Sequence, residues 1–268
     1  MPITVSDPDD PRIKAYRAVR ERDLAGRDHC FVAEGEVVLR ILLKQSRFEV
    51  ESVLLAESRV DRLGDALAGL PEQVPVYVAD RQVMDAIVGF PIHRGILAVA
   101  RRSPLPPVEE LLAGMPPRAV VVGLVGLANH DNVGGIFRNA AAFGAQAVLL
   151  DRETCDPLYR KAIRVSVGGA LVVPFARVAS AEDMVRALEN AGFEVVALSP
   201  SGRETLAALK PAPRTALLLG AEGSGLPPEL LAQTRTVSIP MSGGFDSLNV
   251  ATTSGIALHH LSSAGVGY

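Results

Sequence analysis

The sequence predicts an α/β protein with two domains. Apolar segments of strand length alternate with helix-length segments over most of the 268 residues, as expected of strands joined by helical connections. In the second half the strand segments are apolar throughout, for example Ala119–Val125, which is typical of strands buried on both faces of a parallel sheet. We therefore predict a small α/β domain over residues 1–102, a proline-rich linker over 103–117 and a mostly parallel α/β domain over 118–268.

Composition excludes several classes of protein. Hydrophobic residues make up 48% and charged residues 21% of the chain, so a packed core is expected and wholesale disorder is not. Cys30 and Cys155 provide neither a disulfide framework nor a metal-ligand spacing. The sequence has no membrane-length apolar run and no signal-peptide pattern at its start, which predicts a cytoplasmic protein without membrane or metal. The net charge of −3 argues mildly against nucleic acid, although binding depends on local basic patches.

The first domain is predicted to contain four strands and three helices. A preceding helical stretch carries cations on one side, which indicates either a solvated face or a phosphate-contacting patch: Arg12, Lys14, Arg17, Arg20, Arg22 and Arg27. Asp80 is expected to cap the third helix. The strands are expected at 31–35, 48–55, 74–78 and 95–100, and the helices at 36–44, 58–70 and 81–87.

The second domain continues the strand pattern after Ala119–Val125. Parallel sheets covered by helices bind ligands at the carboxyl ends of their strands, so the loops after these strands are the candidate site. The further strands are predicted at 147–150, 170–175, 193–198, 215–219 and 236–239.

Three glycine-bearing loops each follow a strand and precede a helix, at residues 129–144, 220–226 and 239–250. Such loops expose backbone N–H and C=O groups, and the following helix adds the positive end of its dipole. The second loop imitates a dinucleotide-binding fingerprint. Pro227 and Pro228 follow it at once, however, and no acidic residue ends the next strand, so a nicotinamide-dependent enzyme is disfavoured.

The three loops together, in this order, resemble the SpoU (TrmH-like) family of RNA ribose 2′-O-methyltransferases in the SPOUT superfamily. The resemblance rests on Asn132-Val133-Gly134 with Arg138, then Leu219–Leu226, and last Ile239–Met241 with Gly243 and Ser247–Val250. More weakly, the first hundred residues resemble an RNA-binding domain of the ribosomal-protein L30e type, through residues 31–35 and 93–98.

This resemblance implies a SPOUT α/β-knot, a deep trefoil with a mostly parallel sheet, preceded by a small L30e-like α/β domain. It also implies an enzyme that uses S-adenosylmethionine to methylate a ribose 2′-hydroxyl of structured RNA, ribosomal rather than transfer RNA, and a homodimer packed through the knotted domain. A transfer-RNA enzyme and a non-catalytic ribosome-assembly factor remain alternatives. The residues implied for the cofactor are Leu219, Gly220, Ala221, Glu222, Gly223, Ile239, Met241, Ser247, Leu248 and Asn249.

The resemblance also implies a set of catalytic residues. A guanidinium is effectively always protonated, so Arg138 is expected to bind phosphate and stabilise a developing alkoxide rather than act as a base. Purely structural roles stay open: Asn132 and Asn249 as partners of loop backbone, Ser247 as a helix cap, and Glu222 as a cap or arginine partner. The implied set is Arg138, Asn132, Glu222, Ser247 and Asn249.

Overall fold

The structure, a computed structural model, describes residues 2–17, 29–89, 94–242 and 247–263. The chain forms two compact units. Unit 1 contains Met1–Pro104 together with Leu158–Val172, and unit 2 contains Leu105–Pro157 together with Val173–Tyr268. The first boundary therefore falls inside the predicted linker, whereas the second segment of unit 1 comes from the predicted second domain.

Unit 1 is built on a five-stranded mixed sheet in the order β1-β4-β3-β5-β2. Strands β1, β4 and β3 are parallel, and β5 is antiparallel to both β3 and β2. All four predicted strands are present, while β1 is too short to show a pattern in the sequence. The strands are β1 Ile3–Thr4, β2 Cys30–Glu34, β3 Val50–Ala56, β4 Val76–Ala79 and β5 Ile96–Arg101.

The α-helices of unit 1 are Glu36–Lys44, Gly64–Leu67, Arg81–Val88, Arg160–Val165 and Gly169–Val172. The side chain of Asp80 accepts a hydrogen bond from Val83 N at 2.8 Å, which confirms the predicted cap. The helix expected over 58–70 is broken instead. Two short 3₁₀ turns, Glu57–Arg59 and Asp61–Leu63, precede its single α-helical turn.

The predicted basic helix near the N-terminus is a short 3₁₀ helix, Pro11–Tyr16, in its described part. Tyr16 is fully buried, and its hydroxyl lies 2.7 Å from Ser52 Oγ, which anchors the turn to the sheet. Two of the predicted cations are already paired, Arg12 with Asp10 and Arg17 with Asp9, which favours a solvated, paired face there. The predicted cations at 20, 22 and 27 lie outside the described residues.

The strand expected over 170–175 is wrong. The chain turns at Gly168, which has φ +86°, and forms the short helix Gly169–Val172, so that the strand begins only at Phe175. A short apolar run fits a buried helix as well as a buried strand. The helices Arg160–Val165 and Gly169–Val172 belong to unit 1, where Arg160 Nη1 lies 2.5 Å from the buried carboxylate of Glu34. Phe175 belongs to unit 2.

Unit 2 is built on a seven-stranded sheet in the order β10-β12-β9-β11-β6-β7-β8. Every pair of neighbours is parallel, so all carboxyl ends lie at one edge. Strand β11 fills the place between β6 and β9, where the strand order reverses, and ligands bind open α/β sheets at such a point. The strands are β6 Ala119–Val125, β7 Ala147–Leu150, β8 Phe175–Arg177, β9 Glu194–Leu198, β10 Glu204–Thr205, β11 Arg214–Gly220 and β12 Arg235–Ser238.

The described helices of unit 2 include one inside the predicted linker. Val108 and Leu112 are buried in the same apolar core as Met184, Leu188 and Phe193, so the stretch after Pro104 is packed and does not act as a free connector. The helices are Val108–Ala113, His130–Ala142, Ala181–Asn190, Pro228–Gln233 and Val250–Ser263, with a 3₁₀ turn at Leu206–Ala208.

Helices of the described ranges are all too short or too polar to cross a lipid bilayer. Within the same ranges, no group of three His, Cys, Asp or Glu residues is placed to hold a metal ion. The trefoil knot implied by the resemblance stays a prediction, as does the homodimer.

Candidate active site

A cavity of about 630 Å³ lies at the carboxyl edge of the parallel sheet in unit 2. Its walls come from residues 198–200 at the end of β9 and 219–226 at the end of β11, with Leu231 from the following helix. Ile239 and Met241 after β12, and residues 247–250 with Thr253 at the start of the last helix, complete them. Strands β9, β11 and β12 are neighbours in the sheet, which brings the loops that follow them together. The volume is in the range of small-molecule pockets, roughly 300–1,000 Å³.

The second and third predicted loops meet in this cavity. Every one of the ten residues expected to hold the cofactor contributes to its wall: Leu219, Gly220, Ala221, Glu222, Gly223, Ile239, Met241, Ser247, Leu248 and Asn249. The apolar members surround the space with side chains, and the loop after β11 adds backbone polar groups.

One part of the cavity wall is absent from the sequence predictions. It is formed at the end of β9 by Leu198, Ser199 and Pro200. The strand itself is predicted at 193–198, but its loop carries no glycine pattern. Its place at the cavity follows from the sheet order, because β9 lies between β12 and β11. That order is not visible in the periodicity of the sequence.

The loop after β11 folds back on itself at Gly220. A Cβ on this residue would lie 2.4 Å from Gly225 C and 2.5 Å from Leu226 N. Gly225, at φ +68°, donates its N–H to Ala221 O at 3.0 Å. Only glycine fits where two backbone segments approach this closely, which explains the glycine at the start of the second loop.

Asn249 connects all three predicted loops. Its Oδ1 accepts from Ala251 N at 2.9 Å and from Thr252 N at 3.2 Å, so it caps the last helix, Val250–Ser263. Its Nδ2 donates to Asn132 Oδ1 at 2.8 Å and to Glu222 Oε1 at 3.3 Å. The alternative in which Ser247 caps this helix is therefore wrong.

Asn132 lies in the helix His130–Ala142, which we call the first-loop helix. The helix begins at Asn129, whose side chain accepts from Asp131 N at 2.9 Å. Asn132 is only 4% exposed, and Asn249 satisfies its side-chain oxygen. A buried amide of this kind has a structural role. It holds the first-loop helix against the part of the cavity wall that contains Asn249.

The turn that precedes this helix is fixed by hydrogen bonds among Gly126, Asp151, Thr154 and Arg177, a group that we call the clasp. The sequence predictions do not include it. Asp151 accepts from Gly126 N at 3.0 Å and from Thr154 N at 2.8 Å. Arg177 Nη1 donates to the carbonyl oxygens of Asp151 and Thr154, both at 3.0 Å. Asp151 directly follows β7, so a polar residue at a strand's carboxyl end was the available signal.

Cys155 follows the clasp but does not provide a reactive thiolate. Burial raises the pKa of its thiol to about 11, so the group is neutral near physiological pH. Since the thiolate is the nucleophilic form, the geometry does not support covalent cysteine chemistry at this edge.

Arg138 is exposed on the first-loop helix and does not belong to the cavity wall. The described residues offer it neither an ion pair nor a hydrogen bond. The structure therefore does not bring Arg138 into the cavity with the ten residues above. It places the guanidinium on a helix joined to the cavity through Asn132 and Asn249, with its charge available to a ligand.

Two histidines of the last helix, His259 and His260, make packing and hydrogen-bond contacts near the site. His260 Nε2 lies 2.9 Å from Leu209 O, which ties the last helix to the 3₁₀ turn Leu206–Ala208. His259 meets the Phe143 ring edge-on, with centroids 5.7 Å apart. Glu222 and Ser247 are exposed at the cavity, where Glu222 accepts from Asn249 rather than capping the helix after Pro227.

A doubly covered parallel sheet with a ligand cavity at its carboxyl edge, lined by glycine loops and an asparagine-capped helix, defines an α/β enzyme domain. The sequence profile of the SpoU rRNA methylase family matches residues 119–259, more than half of the chain. The chain belongs to this family and is an RNA methyltransferase.

Two curated relatives extend the match over most of the chain. An uncharacterized tRNA/rRNA methyltransferase of Mycobacterium bovis is 41% identical over 271 residues, covering 97% of this chain and 92% of the relative. The 23S rRNA (guanosine-2′-O-)-methyltransferase RlmB of Escherichia coli is 29% identical over 232 residues, covering 84% and 94%.

A solved structure shows the same fold along the whole chain. The AdoMet-bound rRNA methyltransferase from Sinorhizobium meliloti superposes with a TM-score of 0.81 at 24% identity, covering 99% of each chain. The predicted family and α/β fold are thus confirmed, while the L30e-like assignment of unit 1 stays a prediction.

Proposed function

We propose that this protein transfers a methyl group from S-adenosylmethionine to a ribose 2′-hydroxyl of ribosomal RNA. The observation that carries the proposal is the single cavity formed by the second and third loops, to which Asn249 joins the first. The relative from Escherichia coli is named as a guanosine-2′-O-methyltransferase of 23S rRNA, and the neighbour from Sinorhizobium meliloti is an AdoMet-bound enzyme.

The cavity fits the donor by its size and lining. Leu219, Leu226, Ile239 and Met241 provide apolar side chains for an adenine ring, and the backbone around Gly220 provides hydrogen-bonding groups. Such a mixture, mostly apolar with a few polar groups, is typical of cofactor sites. When bound, S-adenosylmethionine supplies an activated methyl group.

The chain's own residues then have to orient the acceptor and take up charge. Arg138 provides a permanently charged fork that suits a phosphate or a developing alkoxide. Glu222, exposed at the cavity and held by Asn249, can accept a proton from the ribose hydroxyl. Ser247, also exposed there, can orient the ribose. Asn132 and Asn249 hold these groups in place.

The names of two relatives bear on the class of RNA that is methylated. Ribosomal RNA is favoured by the name of the Escherichia coli relative, whereas the name of the Mycobacterium bovis relative includes transfer RNA as well.

We further propose a homodimer through the last helix, where Ile256 is 41% exposed. Its exposed apolar side chain is consistent with a partner surface on this helix.

Methylation of separated RNA pools tests the function. The purified protein is incubated with labelled S-adenosylmethionine and unmodified ribosomal or transfer RNA, and the product is digested to nucleosides for mass spectrometry. We expect 2′-O-methyl nucleosides from ribosomal RNA. Label on a base would contradict ribose specificity, and label only in transfer RNA would contradict the ribosomal target.

A further inference from the structure

The first-loop helix and the last helix touch along a line of small residues beyond the Asn132–Asn249 contact. A Cβ on Gly135 would lie 2.7 Å from Ala251 Cβ, so the two helices are in backbone-level contact there. One turn further along, Asn139 reaches across the same line. None of the roles described above uses this residue.

Asn139 makes two hydrogen bonds to the last helix. Its Nδ2 donates to Ala251 O at 2.7 Å and to Ser254 Oγ at 2.9 Å. Ser254 is fully buried, and its own hydroxyl donates to Ala251 O at 2.7 Å. The amide group of Asn139 therefore adds a donor to the buried Ser254 hydroxyl and to the carbonyl oxygen with which that hydroxyl already pairs.

Gly255 leaves the space that the amide group occupies. A Cβ on Gly255 would lie 3.2 Å from Asn139 Nδ2 and 3.4 Å from its Cγ. The shorter distance is tighter than ordinary packing, so a side chain at 255 would require the amide to shift by a few tenths of an ångström. The glycine at this helical position is thus explained by Asn139, since alanine is intrinsically a better helix former.

The contact links two parts of the active site. Asn139 is the immediate neighbour of Arg138, and the turn it binds contains Val250 and Thr253, which line the cavity. Together with Asn132–Asn249, it joins the two helices by side-chain hydrogen bonds at two points along their contact. Two points of attachment fix the rotation and the axial position of one helix on the other, whereas a single point leaves both adjustable.

We propose that Asn139 is a positioning residue for methyl transfer, which sets the placement of Arg138 relative to the cavity wall. This role rests on the proposed function. In-line transfer depends on the relative placement of the two reactants, and a displacement of about 1 Å can reduce the rate about a hundredfold. Donor binding should be less affected, because Asn139 contacts Ala251 and Ser254 and neither of these residues lines the cavity.

The test compares Asn139→Ala, Gly255→Ala and the double variant with wild type. For each single variant we expect the single-turnover rate of RNA methylation to fall about tenfold, with the dissociation constant of S-adenosylmethionine changed less than about twofold. In the double variant Gly255→Ala should add no further loss, because the amide that it displaces is already absent.

Thr215→Val is the matched control. Thr215 is 1% exposed and donates to Ala212 O at 2.9 Å, at the amino end of β11 and away from the cavity. Like Asn139→Ala, the Thr215→Val variant loses a hydrogen bond from a side chain to a backbone carbonyl oxygen. We expect its transfer rate to be unchanged. An equal loss of rate in Thr215→Val, or full activity in both single variants, would overturn the positioning role. A wild-type protein that transfers no methyl group would overturn the proposed function and this role with it.

Discussion

The side-chain nitrogen of Asn249 lies 2.8 Å from the side-chain oxygen of Asn132, although 117 residues separate them in the chain. The same asparagine caps the last helix and donates to Glu222. One side chain therefore joins the three loops that the sequence presents as separate motifs. These hydrogen bonds give Asn249 a structural role. Because Asn249 also lines the cavity, it belongs to the candidate active site as well.

Replacing Asn249 by serine or alanine separates these two contributions. Serine retains a capping oxygen but removes the amide donor, whereas alanine removes both. We expect Asn249→Ala to be less stable than Asn249→Ser by about 1 kcal/mol, the usual value of an N-cap, and both to lose methyl transfer. Urea unfolding and single-turnover transfer provide the two measurements.

Ser180→Ala supplies the control for the Asn249 variants. Ser180 caps the helix Ala181–Asn190 by accepting from Asp183 N at 3.1 Å. Its loss should cost about 1 kcal/mol without a change in transfer. Equal stability of the alanine and serine variants at 249 would show that Asn249 is not the effective cap.

Gly220→Ala tests the close approach of the loop after β11. The added Cβ would meet backbone atoms of Gly225 and Leu226, which cannot rotate away, so the loop has to move. We expect the affinity for S-adenosylmethionine to fall at least about tenfold, equivalent to about 1.4 kcal/mol. Isothermal titration calorimetry measures the affinity.

Gly192→Ala is the corresponding control. Gly192 has φ +77°, and a Cβ there would meet no atom within 4 Å. The substitution introduces left-handed strain of about 1–2 kcal/mol without a clash. We expect lower stability and unchanged donor affinity, and a matching loss of affinity would show that general destabilisation accounts for the Gly220 result.

The stability of unit 2 should depend on pH through Glu204. Hydrogen bonds from Arg235 lower the pKa of this carboxyl group from 4.5. Its folded pKa is thus below its unfolded value, so its contribution is fully present above about 4.5 and is lost as the pH falls through the folded pKa. The gap in unfolding free energy between wild type and Glu204→Gln should be present near neutral pH and shrink in acid.

Urea unfolding at a series of pH values measures this gap. A Glu204 gap that persists unchanged in acid would contradict the role of the ion pair.

The local patterns predict most of unit 2. The strands Ala119–Val125 and Ala147–Leu150 have the predicted bounds, because a continuous apolar run between turn residues is specific enough. The segment 170–175 fails, because its apolar run fits a helix equally well and the helix Gly169–Val172 belongs to unit 1 with residues 1–104. Long-range packing of this kind leaves no periodicity in the sequence.

The residues of the candidate site likewise divide into those that sequence motifs predict and those that only the structure shows. The glycine loops and the asparagines are visible as motifs, and the cavity-lining members of those motifs are found together in space. Ser199 and Asn139 are not visible, because the importance of Ser199 follows from the sheet order and that of Asn139 from helix contacts made across more than a hundred residues. The exposed position of Arg138 also required the structure.

The central claim is that the cavity holds the methyl donor and that Arg138, outside its wall, serves the RNA. The most direct measurement determines both donor affinity and single-turnover methylation for Arg138→Ala, with Arg138→Lys as the charge-retaining comparison. For Arg138→Ala we expect a dissociation constant for S-adenosylmethionine within about twofold of wild type and a transfer rate at least about a hundredfold lower. Undiminished transfer by Arg138→Ala, or loss of donor binding in that variant, would contradict it.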